Sequence, residues 1–116
     1  MNNRRLVRAL DLVDDAGLIA EYRRWHAPGS VWPEVTAYIR ATGVLHMEIW
    51  HVGNRLVMLL DVTEEFPREV PEPARVTEWE RLMSTFQRPL NGTFSGEKWA
   101  TLTRIFTLDE TEGGRE

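Results

Sequence analysis

Tyr22 and His26 stand four residues apart in the stretch EYRRWHAPGSVWPEV, which covers positions 21–35. On a helix that spacing puts both side chains on one face, one turn apart. An imidazole titrates near neutral pH, and it can accept a proton from one oxygen and return one to another. A phenol beside it adds a hydrogen-bond donor. The pair therefore has the makings of a cofactor-free acid/base device. Both residues also suit a plain core role, with the hydroxyl and the imidazole bonded to backbone groups. Trp25, Trp32 and Trp79 offer flat apolar surfaces of the kind that meet the C–H face of a pyranose, although aromatics at helical spacing usually fill cores. Glu80, next to Trp79, reads either as a solvated carboxylate or as an acceptor for a ligand's hydroxyls. His46 and Glu48 lie two apart on a strand and lack an evident third ligand, so a metal site is not expected.

The elements that must position these groups follow from periodicity. Leu6, Leu10 and Leu12 share one parity from Arg5 to Val13, with Arg8 interrupting, which predicts a first strand. From Asp15 to about His26, apolar side chains at 18, 19, 22, 25 and 26 form a core-facing helical stripe. Pro28-Gly29 breaks that helix, and Pro33 opens a second one that carries Trp32, Val35 and Ile39 inward and ends at Gly43. Between Val44 and Val52, Leu45, Met47 and Ile49 share one parity, and His46, Glu48 and Trp50 the other. Gly53-Asn54 predicts a hairpin into a strand from Arg55 to Val62. The stretch TEEFPREVPEPAR reads as a loop. Val76, Trp79, Leu82, Met83 and Phe86 predict another helix, Thr101 to Leu108 a last strand, and DETEGGRE a polar, frayed tail.

With 116 residues, of which 42% are hydrophobic and 28% charged, the chain suits one domain with an ordered core over about 4–109 and a tail over 110–116. No apolar run approaches a membrane span. The N-terminus lacks the apolar core of a secretory signal, and the absence of cysteine fits a cytoplasmic protein. A net charge of −4 without a basic stripe makes nucleic acid a poor partner and a small neutral ligand a better one. The order strand, helix, strand, strand, helix, strand, with the first helix broken in two, is the α+β, ferredoxin-like arrangement with helices on one side of an antiparallel sheet. The other face needs cover, for which a second copy is economical, so a symmetric homodimer is expected.

The stretches EYRRWH, WPEV, HMEIW, GNRLVMLLDV, VTEWERLMSTFQ and GEKWATLTRIFTL, in that order and almost end to end, resemble the L-rhamnose mutarotase family of small sugar epimerases. The resemblance implies a dimeric ferredoxin-like α/β barrel that interconverts the α and β anomers of a 6-deoxy-hexose without a cofactor. It places the proton carrier at His26 and a site-lining tyrosine at Tyr22, with Trp32, Trp79, Glu80, Met47 and Glu48 as the residues expected around the sugar. The chain departs from the rhamnose enzymes at Trp79-Glu80, where they carry paired tryptophans, and at Met47, where they carry a tyrosine. MEIW, EWERLM and GEKW instead resemble a subgroup linked to L-fucose breakdown, which makes L-fucose a candidate beside L-rhamnose. The competing expectation is a ferredoxin-like dimer that binds a small molecule without turning it over, or an oxygenase-like relative.

Overall fold

The computed structural model describes residues 3–90 and 98–109. Strand β1 (Arg4–Leu12) is followed by helix α1 (Ala16–Trp25), helix α2 (Pro33–Ala41), the hairpin β2 (Val44–Val52) and β3 (Arg55–Val62), and helix α3 (Ala74–Ser84). Two short strands complete the sheet, β4 (Gln87–Arg88) and β5 (Ala100–Thr101). The strand order β2-β3-β1-β4 is antiparallel throughout, with β5 also on β1. This is the α+β, ferredoxin-like architecture that the element order predicts.

Period-two alternation sorts the sheet into two faces. On β3, Leu56, Met58, Leu60 and Val62 are buried, and they pair across β1 with Leu10, Arg8, Leu6 and Arg4. On β2, Ile49 pairs with Met58 and Met47 with Leu60. These residues face the helices, whose own stripes (Tyr22 on α1, Val35 on α2, Val76, Trp79 and Met83 on α3) close the core. A register shift between Val44 and His46 bulges Leu45 out, leaving it 47% exposed. Leu45 is therefore not on the apolar row that its parity predicts, because the extra residue breaks the alternation.

The last strand differs from its expected form. Only Ala100 and Thr101 pair with β1, at Ala9 and Arg8, and the amide of Leu102 donates to the Val7 carbonyl. Beyond them the chain leaves the sheet, with Ile105 94% exposed and Phe106 63% exposed. The fourth position of the sheet is instead shared with Gln87–Arg88, which pair with Leu12 and Asp11 farther along the same edge of β1. The alternating apolar residues from Leu102 to Leu108 have the pattern of a strand, yet among the described residues the strand ends at Thr101. The polar tail expected over 110–116 lies outside the described residues. No helix among them is long and apolar enough to cross a membrane.

Candidate active site

The end of α1 places the imidazole. Asp15 caps the helix start, its carboxylate accepting from the Leu18 amide at 2.9 Å, and the helix runs through Tyr22 to Trp25. His26 is its C-cap, with its own amide donating to the Arg23 carbonyl at 3.1 Å. The chain then turns at Pro28-Gly29. Gly29 has φ +82°, which side chains other than glycine rarely adopt. The turn delivers Trp32 to the start of α2, where Pro33 occupies the first turn and removes an amide that would have lacked a partner.

The His26 ring sits 4.3 Å from that of Tyr22 and 5.7 Å, edge-on, from that of Trp79. Its Nδ1 lies 2.9 Å from the Tyr22 carbonyl oxygen. A carbonyl can only accept, so Nδ1 carries the hydrogen and Nε2 presents its lone pair. Nε2 has no partner among the described residues. Burial pushes the His26 pKa below the ordinary value of 6.5, with the bond to the Tyr22 carbonyl opposing that shift. The ring is therefore a neutral base at physiological pH. Tyr22 is 3% exposed, and burial pushes its hydroxyl up to about 12. The phenol thus stays protonated and remains a donor; Gln87 Nε2 approaches its oxygen at 3.4 Å, a long contact.

Both side chains open onto a cavity of about 600 Å³ between the helices and the sheet. That volume falls in the usual range for small-molecule sites. Its floor is the cross-sheet row Arg8, Met58 and Ile49 together with Leu60 and Met47, all on the helix-facing parity. Trp79 and Met83 of α3, Val35 and Ile39 of α2, and Trp99 just before β5 form its walls. A second hollow reaches His26 and Tyr22 from the side of Trp50 and His51.

The structure gathers most of the residues expected at the site. His26, Tyr22, Trp79, Glu80 and Met47 all line the cavity. Glu80 stands at its rim with a side chain 57% exposed, its carboxylate accepting from Lys98 Nζ at 3.3 Å. Two of the expected residues lie outside the cavity lining. Glu48 is on the opposite face of β2 from Met47, as consecutive strand residues must be, and its carboxylate accepts from His46 Nε2 at 2.7 Å and Trp50 Nε1 at 2.9 Å. Trp32 does not reach the cavity. It packs edge-on against Trp79 at 5.2 Å and Trp25 at 6.3 Å, and the Arg75 guanidinium lies over its outer face at 3.7 Å. It buttresses Trp79 from behind and so fixes the plane that Trp79 presents. No group of three His, Asp or Glu residues suited to a metal gathers among the described residues.

Three lining residues escape a reading of helical and strand stripes. Trp99 is brought in by β5, and its parity next to Ala100 sends it to the helix side. Gln87 reaches the cavity because β4 pairs it with Leu12, which faces the helices. Arg8 had a signal in the sequence: a charge on the apolar parity of β1 is costly to bury, and such exceptions gather at functional sites.

Comparison with known proteins agrees with this geometry. A solved L-rhamnose mutarotase from Formosa agariphila superposes with a TM-score of 0.67, covering 90% of this chain and 98% of that one at 19% identity, which establishes the shared fold. An L-fucose mutarotase of Xanthomonas campestris is 47% identical over 95% of this chain and 92% of its own length. A UPF0734 protein of Dictyostelium discoideum is 30% identical over 88% of this chain and 87% of its own. The sequence profile of the L-rhamnose mutarotase family matches residues 5–108. With a neutral imidazole and a protonated phenol at a sugar-sized cavity inside that fold, the chain belongs to the L-rhamnose mutarotase family and is an isomerase that interconverts the anomers of a sugar.

Proposed function

We propose that the chain accelerates the exchange of α- and β-L-fucose, with His26 as the proton carrier. The observation that carries this reading is the state of that ring: Nδ1 is committed to the Tyr22 carbonyl, and burial holds the ring neutral with Nε2 available. Nε2 takes the proton from the anomeric hydroxyl, the C1–O5 bond breaks, and the imidazolium returns the proton to O5. The aldehyde at C1 then rotates and the ring closes on its other face by the reverse steps. Tyr22 donates its O–H to the substrate and supports the charge that develops on oxygen. Positioned acid/base chemistry of this kind is worth ~10²- to 10⁴-fold. L-fucose is favoured over L-rhamnose by the 47% identity to the L-fucose mutarotase and by Glu80, whose rim carboxylate offers an acceptor to sugar hydroxyls.

The test is saturation transfer between the anomeric proton signals of L-fucose and L-rhamnose, with wild-type protein and His26→Ala. The wild type is expected to exchange L-fucose well above the buffer rate, and His26→Ala to return it to that rate while keeping a cooperative melt. Retained acceleration in a folded His26→Ala variant would overturn the assignment.

The working form in this reading is a homodimer joined through the sheet face that the helices leave open. Val7, Val57 and Leu59 are only half-covered there, Trp50 is 64% exposed, and Ile105 and Phe106 beyond the short last strand are 94% and 63% exposed. Light scattering that gives the mass of one chain at micromolar concentration would rule the dimer out.

A further inference from the structure

Arg8 stands on the cavity floor, and none of the described residues answers its charge. Its Nε is sealed from solvent without an acceptor, and among the described residues it enters no ion pair. The Phe66 ring stands beside it, with its centroid 5.9 Å from the guanidinium carbon. The carboxylates that flank it in β1 and across the hairpin are engaged on the other face, Asp11 by Arg55 and Asp61 by Arg5. Glu80, at the cavity rim, is held by Lys98. Arg40, also on the wall, donates to the Leu45 carbonyl at 3.3 Å. Among the described residues no acceptor meets Arg8, and a ligand in the cavity is placed to supply one. A guanidinium presents its two terminal N–H groups as a parallel fork, and the group that matches this fork best in shape and charge is a carboxylate.

We propose that the cavity also takes acidic aldoses, the hexuronates, with the C6 carboxylate received by Arg8, and that the chain equilibrates their anomers as it does those of a neutral sugar. The inference rests on the anomer-exchange chemistry proposed above. It adds no new bond change: O1 loses a proton, C1–O5 breaks and O5 gains a proton, while the carboxylate is a spectator that orients the ring. The sealed Nε is a cost to the fold when the cavity is empty, since a buried donor without an acceptor is destabilising.

The experiment measures anomeric saturation transfer on L-galacturonate, D-galacturonate and D-glucuronate beside L-fucose, with wild type and Arg8→Met. L-galacturonate and L-fucose differ only in carboxylate against methyl at C5. At least one hexuronate is expected to exchange above its buffer rate, and Arg8→Met to lower the acid-to-fucose rate ratio by about 10- to 100-fold, the loss that goes with a charged hydrogen bond. The variant's melting temperature is expected to match or exceed that of wild type. If Arg8→Met does not melt cooperatively, Arg8→Gln carries the same ratio measurement. Acceleration of L-fucose with every hexuronate at its buffer rate overturns the inference and leaves the mutarotase reading standing, as does an unchanged ratio in the folded variant. Failure on all four sugars overturns both.

Discussion

On the face of the sheet turned from the helices, charges are matched to one another. Arg5 meets Asp61 at 2.8 Å, Arg55 meets Asp11 at 2.7 Å, and Glu48 accepts from both His46 and Trp50. On the face turned to the helices, polar groups are few and several lack partners among the described residues: His26 Nε2, Arg8 Nε and Gln87 Oε1. A third sealed atom without a partner, Thr63 Oγ1, lies away from the cavity, behind Gly43. The contrast separates two uses of polarity. Exposed, paired charges keep a sheet face soluble or set the register of a partner, and singly they add little to stability. Unpaired groups at a cavity cost stability, and a ligand's oxygens are what satisfy them.

The comparison can be broken from the cavity side. Beyond the His26→Ala test, the largest expected effect is that of Trp79→Ala. Trp79 is 4% exposed and touches Trp25, Trp32 and His26, so its loss should destabilise the fold by about 3–5 kcal/mol, readable by denaturant titration. A cost near that of a surface substitution would show that the cavity wall is not core. Tyr22→Phe keeps the ring packing and removes only the donor. A roughly three- to tenfold drop in the L-fucose exchange rate is expected, with the melt nearly unchanged, and an unaltered rate would leave Tyr22 a packing residue. Glu80→Gln should change the ratio of L-fucose to L-rhamnose rates by about twofold to tenfold, the weight of one rim hydrogen bond. Equal activity of the variant on both sugars would remove Glu80 from recognition.

The pH dependence sharpens the same contrast. In the proposed mechanism only neutral His26 accepts the anomeric proton, so the exchange rate should hold through neutral pH and fall on acidification with a midpoint below 6.5. The sign for stability is the same. The unfolded chain takes up this proton more readily than the folded one, so the contribution of the neutral ring is complete above 6.5 and is lost as pH falls toward the lower folded value. A midpoint above 6.5 would mean that a carboxylate, not burial, governs the ring.

Much of this site was legible because it is local. Tyr22 and His26 share a face through a four-residue spacing, and Gly29 and Pro33 mark where the chain must turn; none of this depends on distant residues. The alternation of β2 also carried its own warning, since Met47 and Glu48 are consecutive and only one of them could face the helices. The roles of the tryptophans were not legible. Trp32 and Trp99 are equally aromatic, and the packing of α2 against α3 turns one into a buttress while the β5 pairing makes the other a wall.

What the amino-acid sequence settled by itself was the order of the elements from β1 to α3, the parity of β1 and β3 and the pairing of imidazole with phenol, because backbone periodicity is a property of neighbours along the chain. Only the tertiary structure decided that the fourth sheet position is split between two short segments, that the chain beyond Leu102 leaves the sheet, and that Arg8, Gln87 and Trp99 line the same cavity as the histidine. Those outcomes turn on which long-range surfaces meet and on whether a buried polar group finds a partner there. A spacing of residues does not encode either, because both depend on contacts between segments far apart in sequence.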